Sequence, residues 1–314
     1  MGAYLVRRFL LMVLTLFGMS VLIFVMLRLV PGNIADILVD ASGSDPKEKA
    51  KIARELGIDR PIAEQYISWI SGLSHGDLGY AYVSERPAIE EIAPRIPISA
   101  KLAGMAVLIS VLQGVPFGVI SAVRQNSSLD YFLRVLSLSG LSLPSFWLGL
   151  LVLMASVHWF GTIPIYDSNP HGFLQDVAML GLPALVVGFR SSALIMRLTR
   201  SSMLEVLRQD YVRTARSKGA SNNSVNYDHA LRNALLPVVT VIGIEAAFLV
   251  GGLIVTETVF NIPGVARFLV EAILWRDYPI VQNLVMLIAF VVVLVNFLVD
   301  MTYMVLDPRI KFAE

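Results

Sequence analysis

Ser142 and His158 are the first pair in this chain whose types could do chemistry, a hydroxyl nucleophile and an imidazole base. Ser142 stands in a Gly140-x-Ser context, and both residues fall in one long apolar run. On a single helix their sixteen-residue separation places them about 24 Å apart, far beyond the reach of a proton transfer. The chain has four scattered histidines, no His-Glu-x-x-His and no cysteine, so thiol chemistry, disulfides and thiolate metal sites are excluded and an intrinsic metal site is not expected. No Gly-x-x-x-x-Gly-Lys-Ser/Thr phosphate loop occurs, so nucleotide hydrolysis by that route is excluded as well. The residue types favour something other than an enzyme.

The charged residues that interrupt apolar sequence are more informative. Arg190, Glu245, Glu257 and Asp300 all lie in or beside runs that are otherwise apolar. An ionised side chain there costs several kcal/mol unless it is paired or wetted. Arg190 precedes Arg197 by seven residues and Glu245 follows Pro237 by eight, which sets both roughly 10–12 Å from the ends of their helices. Equal depth predicts an Arg190–Glu245 pair between two helices, a pair or single charge lining a route, or simple snorkelling of Arg190. Asp300 and Asn296, four apart, share a helix face and are expected to hydrogen bond to a neighbouring helix. Glu257, with Phe260, Pro263 and Gly264 after it, marks a candidate outer gate or a contact for an external protein. Gly251-Gly252 is expected to let another helix come close.

The elements that must position these residues follow from composition. Of 314 residues 56% are hydrophobic and only 16% charged, which points to a multi-span membrane protein. Apolar runs long enough to cross a hydrocarbon core of ~30 Å occur six times, near 9–30, 99–123, 134–160, 178–199, 237–259 and 281–306. Pro116, Pro144 and Pro183 fall inside them and predict kinks packed within a bundle. Arg7-Arg8 before the first run resembles a secretory start, but the run is long and no small-x-small cleavage pattern follows, so an anchor is expected. With the N-terminus inside, the inner loops carry a net +7 and the outer ones −6, predicting both termini in the cytoplasm.

Two segments are too long to be connectors. Residues 31–97 predict an external helical cap, with one helix from Asp45 to Gly57 and another over Ile62–Leu73 that turns Tyr66, Trp69, Ile70 and Leu73 to one side. Residues 200–236 form a basic loop between the fourth and fifth spans. Good helix formers run from Glu205 to Lys218, Gly219 stops them, Ser221 caps the next helix, and that helix extends to Leu236 before Pro237. Asp210, Arg213, Arg216 and Lys218 would face outward, with Ala215, Gly219 and Ala220 leaving room for close approach. Small residues flanked by charge suit a cleft on another protein. The divisions expected are therefore an anchor at 1–30, the cap at 31–97, a five-helix core at 98–306 and a tail at 307–314.

Thr214-Ala215-x-x-x-Gly219 followed by Leu235-Leu236-Pro237 resembles the cytoplasmic "EAA–Gly–Leu-Pro" loop of type I ABC importer permeases. Arg213 and Thr214 depart from that pattern's Glu and Ala, and Pro237 lies 18 positions beyond Gly219, a longer spacing than usual. The variant is similar to the dipeptide/oligopeptide/nickel branch. So are Gly76-Asp77-Leu78-Gly79 with Arg95-Ile-Pro97, Ser142-Leu-Pro144-Ser-Phe146, Glu257-Thr-Val-Phe-Asn-Ile-Pro263-Gly264 with Arg267, and Asp307-Pro308-Arg309. The resemblance implies an all-α integral membrane subunit of six transmembrane helices in the bacterial or archaeal inner membrane. It implies pairing with a homologous second permease, two cytoplasmic ATP-binding subunits and an extracytoplasmic substrate-binding protein. No cofactor would be bound by this chain; ATP and Mg²⁺ would sit on the ATPases. Asp210, Tyr211, Arg213, Thr214, Ala215, Lys218, Gly219 and Ala220 would be the ATPase-coupling residues. Small peptides are the first cargo implied, with nickel, glutathione or oligosaccharides as alternatives. An ion-coupled secondary transporter is the rival outside that class. The basic loop carries too little charge for nucleic acid, residues 197–236 summing to +4 while tethered to a bilayer.

Overall fold

The computed structural model describes residues 2–29, 59–161, 166–167 and 172–306. The helix expected from Asp45 to Gly57, the Asp307-Pro308-Arg309 stretch and the tail lie outside the described residues. The helices in order are α1 (Gly2–Leu29), α2 (Ile62–Ser74), α3 (Ala88–Ile92), α4 (Ile96–Val123), α5 (Ser128–Ser142), α6 (Ser145–Phe160), α7 (Phe173–Val206), α8 (Asp210–Ser217), α9 (Asn222–Ser224), α10 (Arg232–Val259), α11 (Val265–Leu274) and α12 (Tyr278–Leu306). Five segments are long and apolar enough to cross a membrane, six if α5 and α6 count as one bent span. The described residues fall into two units, Met1–Ile98 with Gly264–Val293 and Ser99–Pro263 with Leu294–Glu314.

In the first unit α2 turns the expected face inward. Trp69 is buried; its ring lies 6.1 Å from that of Phe24 on α1, and Tyr66 meets Phe24 edge-on at 5.2 Å. Burying these rings requires partners for their polar atoms. Tyr66 shares a 2.8 Å hydrogen bond with Ser20, and Trp69 donates to Asn283 at 2.9 Å. A separate apolar cluster joins Ala81, Ala88 and Ile92 to Val265, Leu269 and Ala272 of α11 and to Ile280, Val281 and Leu284 of α12.

Asp277, between α11 and α12, is buried and accepts the backbone N–H of Val83 at 3.1 Å. Burial pushes its carboxyl above the usual range, with those backbone donors opposing the shift. A raised folded value means stability is full below the unfolded pKa and lost as pH climbs through the folded one. Asp277→Asn should therefore remove the loss of stability that the unaltered chain is expected to show as pH rises above the ordinary carboxylate range, read as melting temperature against pH.

In the second unit the crossing of α4 and α7 is set by glycine. A Cβ at Gly118 would stand 2.5 Å from the Thr199 Cβ and 2.8 Å from the Met196 carbonyl. One at Gly114 would meet Ile195 at 2.8 Å, and one at Gly188 would meet the Ala106 carbonyl at 2.8 Å. Gly114-x-x-x-Gly118 is thus the small-residue seam that lets two membrane helices touch by their backbones. Gly251 and Gly252, expected to serve close approach, meet nothing within 4 Å.

The third expected span is not one helix. Leu143 (φ −82°, ψ 130°) and Pro144 (φ −61°, ψ 135°) are extended, and α5 and α6 diverge by 108°. The Pro144 ring disfavours helical geometry at the residue before it, and here that preference wins. Pro116, Pro183 and Pro237 lie inside continuous helices. The helix expected to stop before Pro237 therefore continues into α10.

Candidate functional site

The basic loop is an ordered helical excursion. α7 ends at Val206, three residues turn, and α8 begins at Asp210, so the one helix expected from Glu205 is two. α8 is held by Val212, which is wholly buried, while Asp210, Tyr211, Arg213, Thr214, Arg216 and Lys218 are exposed. Asp210 and Arg213 approach to 3.7 Å with both side chains largely in solvent, a contact worth little to stability. Ala215 and Ala220 are half-buried rather than outward, so the exposed surface is the charged residues with Tyr211, Thr214, Ser217 and Gly219.

Gly219 has φ +86°, and a Cβ there would meet nothing within 4 Å. The glycine is required by the left-handed turn and leaves open space beyond it. Ser221 caps the following helix, accepting the Ser224 N–H at 3.2 Å. That helix passes at once into a π-helical stretch, Val225–Leu231. Its wider turn leaves backbone carbonyls displaced from their α-helical donors. One of them, that of His229, accepts the Asn233 amide at 3.1 Å and the Tyr211 hydroxyl at 3.5 Å, and the same amide donates to Tyr211 at 2.8 Å. Tyr211 thereby ties α8 to the segment leading into α10. Beneath it Val119, Ala122, Met203, Ala230 and Ala234 form an apolar cluster.

One ion pair beside this excursion was not anticipated. Asp130, wholly buried at the start of α5, accepts two bonds from Arg200 of α7, Nε at 2.9 Å and Nη2 at 3.0 Å. The Ser121 hydroxyl and the Asn126 N–H, the latter at 2.9 Å, also donate to it, and Arg134 stands at 3.6 Å. Ser127 caps α5 by accepting the Asp130 N–H at 3.2 Å. The Ser127-x-x-Asp130 pattern is the local sequence signal for this cap.

The intramembrane charges are arranged differently from expectation. Among the described residues no ion pair or hydrogen bond joins Arg190 to Glu245. Arg190 is exposed and shares the open face of α7 with Arg197, one heptad away; Glu245 is half-buried on α10. α7 turns Gly188, Ser191, Ser192 and Ile195 inward, which leaves Arg190 on its open side. Asp300 is half-buried on α12. Glu257 is fully buried and accepts the Ser99 hydroxyl at 2.5 Å, so it sits inside the chain rather than on a surface. Phe260 is buried beside Gly149, where an added Cβ would stand 3.3 Å from its ring; Pro263 is half-buried and Gly264 buried. Asp176, buried, pairs with Lys101 at 2.7 Å.

Several apolar spans joined by a structured basic excursion define a multi-pass helical membrane protein. Comparison with known families makes this specific. The family described as binding-protein-dependent transport system inner membrane component matches residues 114–312, and its N-terminal companion matches residues 1–103. The chain belongs to this family of transport components. Among similar proteins, the dipeptide transport system permease protein DppB of Escherichia coli (strain K12) is 41% identical, with 99% of each chain covered. The di/tripeptide transport system permease protein DppB of Pseudomonas aeruginosa (strain UCBPP-PA14) is 38% identical, again over 99% of each. The dipeptide transport system permease protein DppB of Alkalihalophilus pseudofirmus is also 38% identical, over 99% of this chain and all of the relative.

Proposed function

We propose that this chain forms half of the translocation pathway of an ATP-driven importer of small peptides, working with a homologous second permease. In this reading two cytoplasmic ATP-binding subunits hold ATP and Mg²⁺, and an extracytoplasmic binding protein delivers the cargo. Both termini and the 200–236 loop lie in the cytoplasm, and 31–97 belongs to the external cap. The peptide cargo is supported by the names of the relatives, each 38–41% identical along nearly the whole chain.

The observation that carries the mechanism is α8 itself. It is an ordered, charged helix with one buried anchor, Val212, and an open glycine turn after it. A surface helix so lightly held would not persist for its own packing. As the docking element of an ATPase it has a purpose. Nucleotide-driven closure of the two ATPases draws α8 sideways. The pull passes through the Tyr211–Asn233 contact into α10 and through the short turn after Val206 into α7. Arg190, exposed on α7, and Glu245, half-buried on α10, are then placed to line the pathway or the face shared with the second permease.

The chain has no cysteine, so Thr214→Cys creates a unique thiol on α8. In the purified, transport-active complex, benzophenone-4-maleimide attached to that thiol should link on illumination to the ATPase subunit by inserting into a nearby C–H bond. If that thiol stays freely accessible to a water-soluble maleimide, with no link formed, docking at α8 is wrong. Uptake by proteoliposomes holding this chain alone, driven only by an ion gradient, would favour a secondary transporter instead.

A further inference from the structure

A cavity of about 350 Å³ opens in the first unit where the end of α1, helix α2 and the start of α12 meet. Arg28, Arg60, Trp69, Asp77, Tyr80 and Tyr82 contribute to its wall. Arg28 is the unusual member. Its guanidinium donates to the amide oxygens of Gln65 at 3.0 Å and Gln282 at 3.3 Å and lies over the Phe24 ring, 3.8 Å from the centroid. Its Nε is buried with no hydrogen-bond partner. Among the described residues no carboxylate pairs with it. Amide oxygens and a ring face orient a cation without neutralising it, and an unsatisfied buried donor calls for an explanation. Asp77 is the single acid among the lining residues, and its Oδ1 already accepts the Gly79 N–H at 2.8 Å. Arg60, exposed, adds a second positive charge.

Position narrows the class of ligand. Arg28 follows Arg8 by 20 positions of apolar helix, a rise of about 30 Å that matches the hydrocarbon thickness of a bilayer. If Arg8 marks one headgroup layer, Arg28 lies at the other. Tryptophan and tyrosine beside it are the residues of that layer. Val25 and Leu29, flanking Arg28 on α1, are exposed, so an apolar surface runs up to the cavity. We propose that the cavity binds a phosphate group through the Arg28 guanidinium, carried by a membrane phospholipid or supplied as free phosphate. Both sources offer the same anionic oxygens, which a guanidinium fork takes in pairs.

The test is native mass spectrometry of the full chain in detergent, titrated with dioctanoylphosphatidylglycerol, with dioctanoylglycerol lacking the phosphate, and with inorganic phosphate. One saturable phosphatidylglycerol adduct is expected, with dioctanoylglycerol failing to form it. Arg28→Gln should weaken the adduct roughly tenfold or more, the loss of one charged hydrogen-bond set, while Arg28→Lys retains part of it. Displacement by inorganic phosphate would name the free anion as a source, and resistance to it would name the lipid. Absence of a saturable adduct on the unaltered chain would overturn the proposal even if the variants fail to fold. Equal binding of the phosphate-free lipid, or an unchanged affinity in folded Arg28→Gln, would overturn it too.

Discussion

Gly219→Asp is expected to abolish transport while the chain still inserts and still assembles with its second permease. The turn at Gly219 sits at φ +86°, where any other residue is strained, and faces open space where an added side chain meets nothing of this chain. Strain alone costs about 1 kcal/mol, too little to unfold a multi-span protein. A carboxylate projecting from the proposed docking surface is far more harmful, because it must be buried against the ATPase without a partner. Loss of one such central contact weakens docking by on the order of 100-fold. Gly219→Ala separates the two effects, since it carries the strain without the charge and should keep most activity. Ala215→Glu should resemble Gly219→Asp, although Ala215 is half-buried and part of its effect will be local. Peptide uptake and ATP-stimulated release by reconstituted complexes, with copurification of the ATPase as the docking readout, check the series. Normal uptake by both acidic variants would remove α8 from the coupling path.

The second large effect belongs to Asp130. Asp130→Ala leaves Arg200, whose side chain is 19% exposed, without the carboxylate that accepts two of its N–H groups. It also strips acceptors from Ser121 and the Asn126 N–H. Removing one partner of a buried pair costs about 3–5 kcal/mol, because the remaining charge is stranded. The expected result is a large drop in the melting temperature of the purified chain. Arg200→Ala should cost a similar amount, and the double variant less than the sum of the two, as for any directly coupled pair. Additive losses in that cycle would show that the two residues act separately. Transport should fail with stability here, since the pair fixes α5 to the stretch of α7 that leads into α8.

Much of this was legible before any coordinates. Six apolar runs gave the helices, and the inward face of α2 followed from the spacing of Tyr66, Trp69, Ile70 and Leu73. The stop at Gly219 and the cap at Ser221 followed from local backbone chemistry, which a short window of residues carries in full. What escaped depends on tertiary context. Of Pro116, Pro144, Pro183 and Pro237, only Pro144 stands at a break between helices, and nothing local distinguishes it from Pro183. The π-helical turn after Ser224 is invisible to a 3.6-residue periodicity. Depth along a helix can be counted from its end, so Arg190 and Glu245 were set at the same level. Rotation about the helix depends on which face packs, and there the inward serines and glycine of α7 decided against a pair. Asp130 and Arg200 are 70 residues apart, and no periodicity links such positions.

The glycine seam between α4 and α7 bears on how this molecule can move. Where two main chains rest against each other there is no cushion of flexible side chains to absorb sliding or twist. Those two rods travel as one piece. Whatever swing the working cycle demands must come from hinges elsewhere, at the corner before Pro144 or in the three-residue bend after Val206. A methyl group added at Gly118 would therefore disturb assembly of the rod pair while leaving both hinges untouched.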